Sequence, residues 1–282
     1  MTVRAYAKIN LGLRIHNQRE DGFHNIETIF HRINLFDELL FAPAPIITLT
    51  CNHLDVPTDN RNLCIKAAHL LQQKYTVNHG VKINLTKDIP IGAGLGGGSS
   101  DAASTLRGLT KFWNLSVPDN EFHGLALQLG SDVPYFLQSG SAYATSRGEV
   151  LEYFALNIPY WIVVVYPSIP VSTAWAYSNL KLTDHKYLST LRDIVRKHLN
   201  EPKVLAQFLR NDFESLVLQT HEPVARLRRS FVSSGAEFVQ LSGSGSAIYG
   251  FFSEERRAKD AAQILEQDYP TCITQPHFQP EF

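Results

Sequence analysis

Between Ile89 and Ser104 the chain reads Ile-Pro-Ile-Gly-Ala-Gly-Leu-Gly-Gly-Gly-Ser-Ser-Asp-Ala-Ala-Ser. Its glycines, Gly92, Gly94, Gly96, Gly97 and Gly98, run directly into two hydroxyls and a helix-forming tail. Glycine tolerates positive φ and lets a ligand approach the main chain. A loop feeding a helix N-terminus gathers unpaired N–H groups and the positive end of the helix dipole, a combination that favours an anion and most often a phosphate. A flexible linker is the competing reading. Linkers, however, rarely lie between an apolar strand pattern (Val81, Ile83, Leu85) and an apolar helix pattern (Ala102, Ala103, Leu106, Leu109).

Two familiar phosphate loops fit poorly. The dinucleotide fingerprint can be laid on Gly92, Gly94 and Gly97, but Lys87, Asp88 and Pro90 separate it from the strand pattern, and no second strand ending in an acid follows the helix. The Walker loop needs a lysine before its hydroxyl, and Gly98 stands there before Ser99. Charge neutralisation therefore has to come from the helix end, a metal ion or residues elsewhere.

Those residues have candidates. Strand-like alternation at the start puts Val3, Ala5, Ala7 and Ile9 on one face and Arg4, Tyr6, Lys8 and Asn10 on the other, followed by Leu11, Leu13 and Ile15, so two paired strands are expected here. Lys8 and Asn10 share a face and can enter one cleft, unless that face is simply solvated. Gln18 to His24 reads as a polar turn ending in Phe23 and His24, which taken alone are a core aromatic and a surface histidine. Asp132, just before Pro134, is on its own terms a cap or turn residue.

The elements that must position these groups follow from periodicity and punctuation. Strands are expected at Ile26 to Leu35, Ile46 to Cys51 and Val81 to Thr86. A helix capped by Asp59-Asn60 runs to about Gln73, another begins near Ser99, and a third runs from Pro118-Asp119 to Gly130. A hairpin around Arg147-Gly148-Glu149 spans Ala142 to Tyr153. Composition shifts at Asn157-Ile158-Pro159, which divides the chain into residues 1–156 and 157–282. The second part has strands at Trp161 to Tyr166, Glu237 to Leu241, Ala247 to Phe252 and near Thr271, helices within Ser172 to Ser233 and after a Ser253 cap, and a second glycine turn at Ser242 to Ser246. The class is α+β.

The 282 residues, 44% hydrophobic and 19% charged, can bury sizeable cores. A net charge of −1 with acids and bases interspersed points to neither a nucleic-acid nor a membrane partner, and so to a small ligand. The cysteines Cys51, Cys64 and Cys272 lack metal-ligand spacing, and the start lacks a secretory apolar core, which suggests a reducing cytoplasm.

Ala5-Tyr6-Ala7-Lys8-Ile9-Asn10-Leu11, Pro90 to Ser100, and Leu241-Ser242-Gly243-Ser244-Gly245 resemble, in order, the three motifs of the GHMP kinases. Within that family, Arg19-Glu20-Asp21-Gly22-Phe23-His24 and Gly130-Ser131-Asp132-Val133-Pro134 are similar to the branch whose substrate is a cytidyl-diphosphate methylerythritol. The likeness spans nearly the full length. It implies a two-domain fold with the active site in the interdomain cleft, and ATP-dependent phosphorylation of the substrate's 2-hydroxyl, with Mg²⁺ expected.

Carried over by position, the resemblance makes Asp132 the catalytic aspartate that accepts the proton of the attacking hydroxyl and Lys8 its partner, with Asn10, Phe23, His24 and Tyr177 at the substrate. It assigns ATP to Pro90, Ile91, Gly92, Ala93, Gly94, Leu95, Gly96, Gly97, Gly98, Ser99 and Ser100, with Asn62 near the adenine. Phe23 stands where tyrosine is usual, which removes a hydroxyl. Ser131 stands where alanine is common. Asp101 is either a helix-start acid or a magnesium neighbour. Another kinase of the same superfamily and a nucleotide-binding protein without turnover are the competing classes; the presence of Lys8 and Asp132 disfavours the second.

Overall fold

The computed structural model describes residues 1–182 and 187–281. In place of two short paired strands, the start of the chain is one 17-residue strand, β1 (Thr2–Gln18), antiparallel to the 21-residue β2 (His24–Ala44). The elements that follow are β3 (Thr48–Cys51), α1 (Leu63–Lys74), β4 (Gly80–Thr86), α2 (Gly97–Phe112), α3 (Asp119–Leu129), a short 3-10 helix (Val133–Leu137), β5 (Ser141–Ser146), β6 (Val150–Phe154) and β7 (Trp161–Val165). Then come α4 (Thr173–Asn179), α5 (Leu191–His198), α6 (Pro202–Phe208), α7 (Glu214–Thr220), α8 (Glu222–Ser233), β8 (Phe238–Leu241), β9 (Ile248–Phe252), α9 (Glu255–Leu265) and β10 (Thr271–Thr274).

The length of β2 sets the first sheet. β1 follows nearly all of it along one edge, while the other edge pairs with β5 near Ile26–Phe30 and with β4 from Glu38 to Ala44. β3 and β6 complete the six strands, and β10-β7-β9-β8 form a second, wholly antiparallel sheet. Three apolar clusters stack the layers. Helices α1 to α3 cover one face of the first sheet (Phe41, Ile83, Ala68, Leu106, Leu125), the sheets meet through Ile9, Leu11, Ile29, Val164 and Tyr249, and α8 and α9 close the far side (Leu227, Phe231, Ala258, Leu265).

The expected alternation along β1 breaks at a register shift between Tyr6 and Lys8. Ala5 packs under the helices, whereas Ala7 and Ile9 face the second sheet. β1 is buried on both sides from Ala5 to Ile15, so the Lys8 and Asn10 face is not solvated. Two caps also move. Asn62, not Asp59-Asn60, caps α1 by accepting from the Cys64 N–H, and Glu254 rather than Ser253 precedes α9. In each case the hydrophobic run begins a residue or more later than the first polar candidate, and the cap follows the run.

His31, mid-β2, is buried with Nδ1 2.7 Å from the Ser141 hydroxyl, and burial pushes its imidazole down to about 4. A histidine of the unfolded chain titrates near 6.5, so between these values the unfolded state binds the extra proton. The stability linked to His31 is full above that range and lost as pH falls through it, amounting to about 2 kcal/mol between pH 7 and pH 5. Urea midpoints of wild type and His31→Gln at the two pH values should show that the variant loses the smaller share on acidification.

Candidate active site

The glycine loop is held by its carbonyls. The Gly92 carbonyl accepts from the Val171 N–H at 3.2 Å, Ala93 from the Ala247 N–H at 3.1 Å, and Gly94 from the Ser242 hydroxyl at 3.0 Å and the Lys8 ammonium at 3.2 Å. In a trans peptide the C=O and the following N–H point in opposite directions. Anchoring these carbonyls on the second half of the chain therefore turns the N–H groups of Ala93, Gly94 and Leu95 the other way. Gly94 (φ 79°) must be glycine, because a Cβ there would lie 2.1 Å from the Ser242 carbonyl oxygen. The second glycine turn is pressed against the first, and Asn211 fixes it by donating to the carbonyls of Leu241 and Gly243 at 2.9 and 2.8 Å. Gly96 precedes α2 in the left-handed region, so the free N–H groups of the first helical turn converge at the loop's end.

Beside this loop Lys8 meets Asp132. The Lys8 ammonium donates to Asn10 Oδ1 at 2.7 Å and lies 3.6 Å from Asp132 Oδ2 and 5.1 Å from the Phe30 ring centroid. Asn10 in turn donates to the Thr28 hydroxyl at 2.9 Å, so its amide works as a bracket for the lysine. Burial lowers the Lys8 pKa, and the Asp132 charge offsets part of that. Asp132 is one-third exposed and opens to the cleft at the head of the 3-10 helix.

In the same cleft His24 and Tyr177 stack with centroids 4.8 Å apart and planes 18° from parallel, and Tyr177 meets Phe213 edge-on. Phe23 is half exposed. Loop, acid, lysine and aromatics line one cleft of about 870 Å³. Another cavity, about 950 Å³ and lined by Leu180, Leu188, Lys197 and Phe208 among others, contains neither the glycine loop nor the lysine–acid pair.

The chain matches the GHMP kinases N terminal domain over residues 62–140 and the GHMP kinases C terminal family over residues 191–271. It is 44% identical over 280 residues to a 4-diphosphocytidyl-2-C-methyl-D-erythritol kinase of Chlorobium phaeobacteroides, covering 99% of this chain and 98% of that protein. The chain belongs to the GHMP kinases. The relative of the same name from Chlorobaculum tepidum is 44% identical over 283 residues, covering 99% of each. A crystal structure of 4-(cytidine 5'-diphospho)-2C-methyl-D-erythritol kinase superposes with a TM-score of 0.82 at 31% identity, over 99% of this chain and all of that one. A mevalonate kinase at 17% identity and a TM-score of 0.70, covering both chains fully, shares the fold.

In this GHMP kinase the cleft gathers Lys8, Asn10, Phe23, His24, Asn62, Pro90 to Ser99, Asp132 and Tyr177. Ser100 is the exception. Its buried hydroxyl donates to the Tyr6 carbonyl at 2.8 Å and its N–H closes the first helical bond, to Gly96, so it faces the sheet instead of the cleft. Asn62 borders the cleft while its amide is engaged in capping α1 and in donating to the Pro57 carbonyl at 2.8 Å.

Asp101 lies beyond the first turn of α2, which holds no acid, and so is not a helix-start residue. Its Oδ2 accepts from the Lys87 ammonium at 2.7 Å, and the same ammonium meets Asp37 on β2. Burial and the Asp37 charge push the Asp101 carboxyl up to about 8, against the pull of Lys87. Asp37 Oδ1 also accepts from the N–H groups of Asp88 and Ile89, both at 2.7 Å. This buried cluster ties both ends of the glycine loop to the sheet, and it explains Gly97, where a Cβ would lie 2.8 Å from the Lys87 Nζ. Nothing in the local sequence marks Asp37 or Lys87; only the pairing of β2 with β4 brings them together.

Two glycines of one loop should therefore respond oppositely to a methyl group. Gly94→Ala should cost at least about 2 kcal/mol in urea unfolding, through both clash and positive φ. Gly98→Ala, at a helical position of α2 whose Cβ meets open space, should raise the unfolding midpoint slightly and raise KM for ATP.

Proposed function

We propose that this ATP-dependent phosphotransferase transfers the γ-phosphoryl group of ATP to the 2-hydroxyl of 4-diphosphocytidyl-2-C-methyl-D-erythritol, on the non-mevalonate route to isoprenoid precursors, in the cytoplasm. The observation that carries the reading is the Lys8–Asp132 pair, 3.6 Å apart, at the mouth of the glycine loop and in one cleft with Phe23, His24 and Tyr177. The names of the full-length relatives supply the alcohol. A sugar, homoserine or mevalonate would leave the aromatic end of the cleft without a planar partner.

Phosphoryl transfer passes through a loose transition state, so positioning and charge stabilisation carry most of the catalysis. The N–H groups of the loop and of the α2 N-terminus hold the triphosphate. Lys8, fixed by Asn10 and Gly94, stands between that triphosphate and the acceptor and stabilises the transferring group. A carboxylate is a far weaker base than an alkoxide, so Asp132 takes the proton late, as the bond to phosphorus forms.

Mg²⁺ is commonly held by the phosphates themselves with one or two protein oxygens. Ser99 at the start of α2 and Asp132 would hold it, and it would neutralise charge on the phosphates. Asp101 Oδ2 is taken by the Lys87 ammonium, whereas its buried Oδ1 has no hydrogen-bond partner among the described residues. A cytosine stacked on Tyr177 requires the His24 ring to slide from that face, after which His24 can read the base edge.

ADP release measured against a panel of alcohols tests the substrate: turnover confined to the cytidyl compound is expected, and turnover of a sugar or mevalonate alone would refute the reading. Asp132→Asn should lower kcat about 100-fold or more, read in the same assay. Stacking on an aromatic is worth about 1 to 3 kcal/mol per base, so Phe23→Ala should raise KM for the cytidyl substrate well above any change in KM for ATP.

A further inference from the structure

We infer that Arg147 is the side chain that receives the diphosphate of the substrate, an inference that rests on the cytidyl-diphosphate reading above. Such a substrate has a base at one end, the reacting alcohol at the other and two phosphates between them. A cleft that binds it needs a cation between the aromatic platform and the acid. Among the described residues, four basic side chains line the cleft: Lys8, Arg61, Lys87 and Arg147. Lys8 is held at Asp132. Lys87 lies buried between two carboxylates, and Arg61 is bonded to Asp59 beside the cap of α1.

Arg147 sits in the turn between β5 and β6, beside residues assigned to both ends of the substrate. Its guanidinium carbon lies 4.7 Å from the Phe23 ring centroid. Its neighbour Gly148 borders the acid, since a Cβ there would be 3.6 Å from Asp132 Oδ1. Arg147 is ion-paired with Glu149, which accepts from its N–H at 2.7 Å and its Nε at 3.4 Å. Whereas Arg61 engages both Nε and Nη2 with Asp59, Arg147 keeps Nη1 and Nη2 without a hydrogen bond among the described residues. The remaining charges nearby, Arg19 and Asp21, neutralise each other through paired bonds of 3.1 Å. A guanidinium held over an aromatic ring, with Nη1 and Nη2 unengaged, can offer both to the oxygens of a phosphate. The side chain is three-quarters buried, so that grip is less screened than one at the surface.

The test compares wild type, Arg147→Met and Arg147→Lys. Loss of a charge-assisted bond predicts that Arg147→Met raises KM for the cytidyl substrate about tenfold, with KM for ATP unchanged, and that lysine restores part of the loss. Calorimetry with CDP and with cytidine, at saturating non-hydrolysable ATP analogue, reads the contact without turnover. CDP should bind wild type more tightly than cytidine, and Arg147→Met should erase that difference while leaving cytidine affinity as it was. If the variant weakens CDP and cytidine equally, Arg147 acts only through Phe23 and the inference fails. It fails too if wild type binds the two alike. Wild-type turnover of some other alcohol alone would instead overturn the substrate reading, an outcome separable from either binding result.

Discussion

A buried ammonium is costly unless each of its donors meets an oxygen, and satisfying Lys8 organises this molecule. Asn10 on the same strand supplies one oxygen, Gly94 of the phosphate loop a second, and Asp132 of the 3-10 helix a third at longer range. None of these three can move without exposing the others to the cost. The same ammonium that the chemistry needs near a transferring phosphoryl group thus also fixes the loop to β1. Stability and function are drawn here from one set of contacts.

The second tether joins the two ends of the loop. Lys87, between Asp37 and Asp101, joins the exit of β4 to the body of α2. Between the two lysines the loop has little freedom, and its carbonyls are taken up by Val171, Ser242 and Ala247. What remains unpaired is the donor side, which is the side an anion needs. A preformed nest of this kind avoids ordering the loop at the moment of binding.

Much of this was legible in the residues themselves. The glycine run announces an anion loop because no packing role explains so many missing side chains at a helix start, and the hairpin about Arg147-Gly148 and the strands of the second sheet follow period and punctuation. The caps of α1 and α9 were misplaced because several polar residues precede each apolar run and only the fold selects among them. The split face of β1 was hidden by the register shift after Tyr6, a tertiary choice that alternation cannot announce. Ser100 looked like its neighbour Ser99, yet one step around a helix turns a hydroxyl from ligand to sheet. Asp37 and Lys87 lie 50 residues apart, and Asn211 lies 32 residues before the turn it fixes. Such partners become visible only once strands are paired.

The long first hairpin carries one more implication. β1 and β2 are joined by a short turn, so their ladder is a local event that a nascent chain can complete early, whereas the cleft is closed by contacts such as Asn10 to Ser242, 232 residues apart. Distant contacts pay their chain-closure entropy late in assembly. During biosynthesis both strands of the hairpin that carries the lysine are made well before the turn that completes its surroundings has left the ribosome, so the catalytic centre cannot be assembled until synthesis is nearly over.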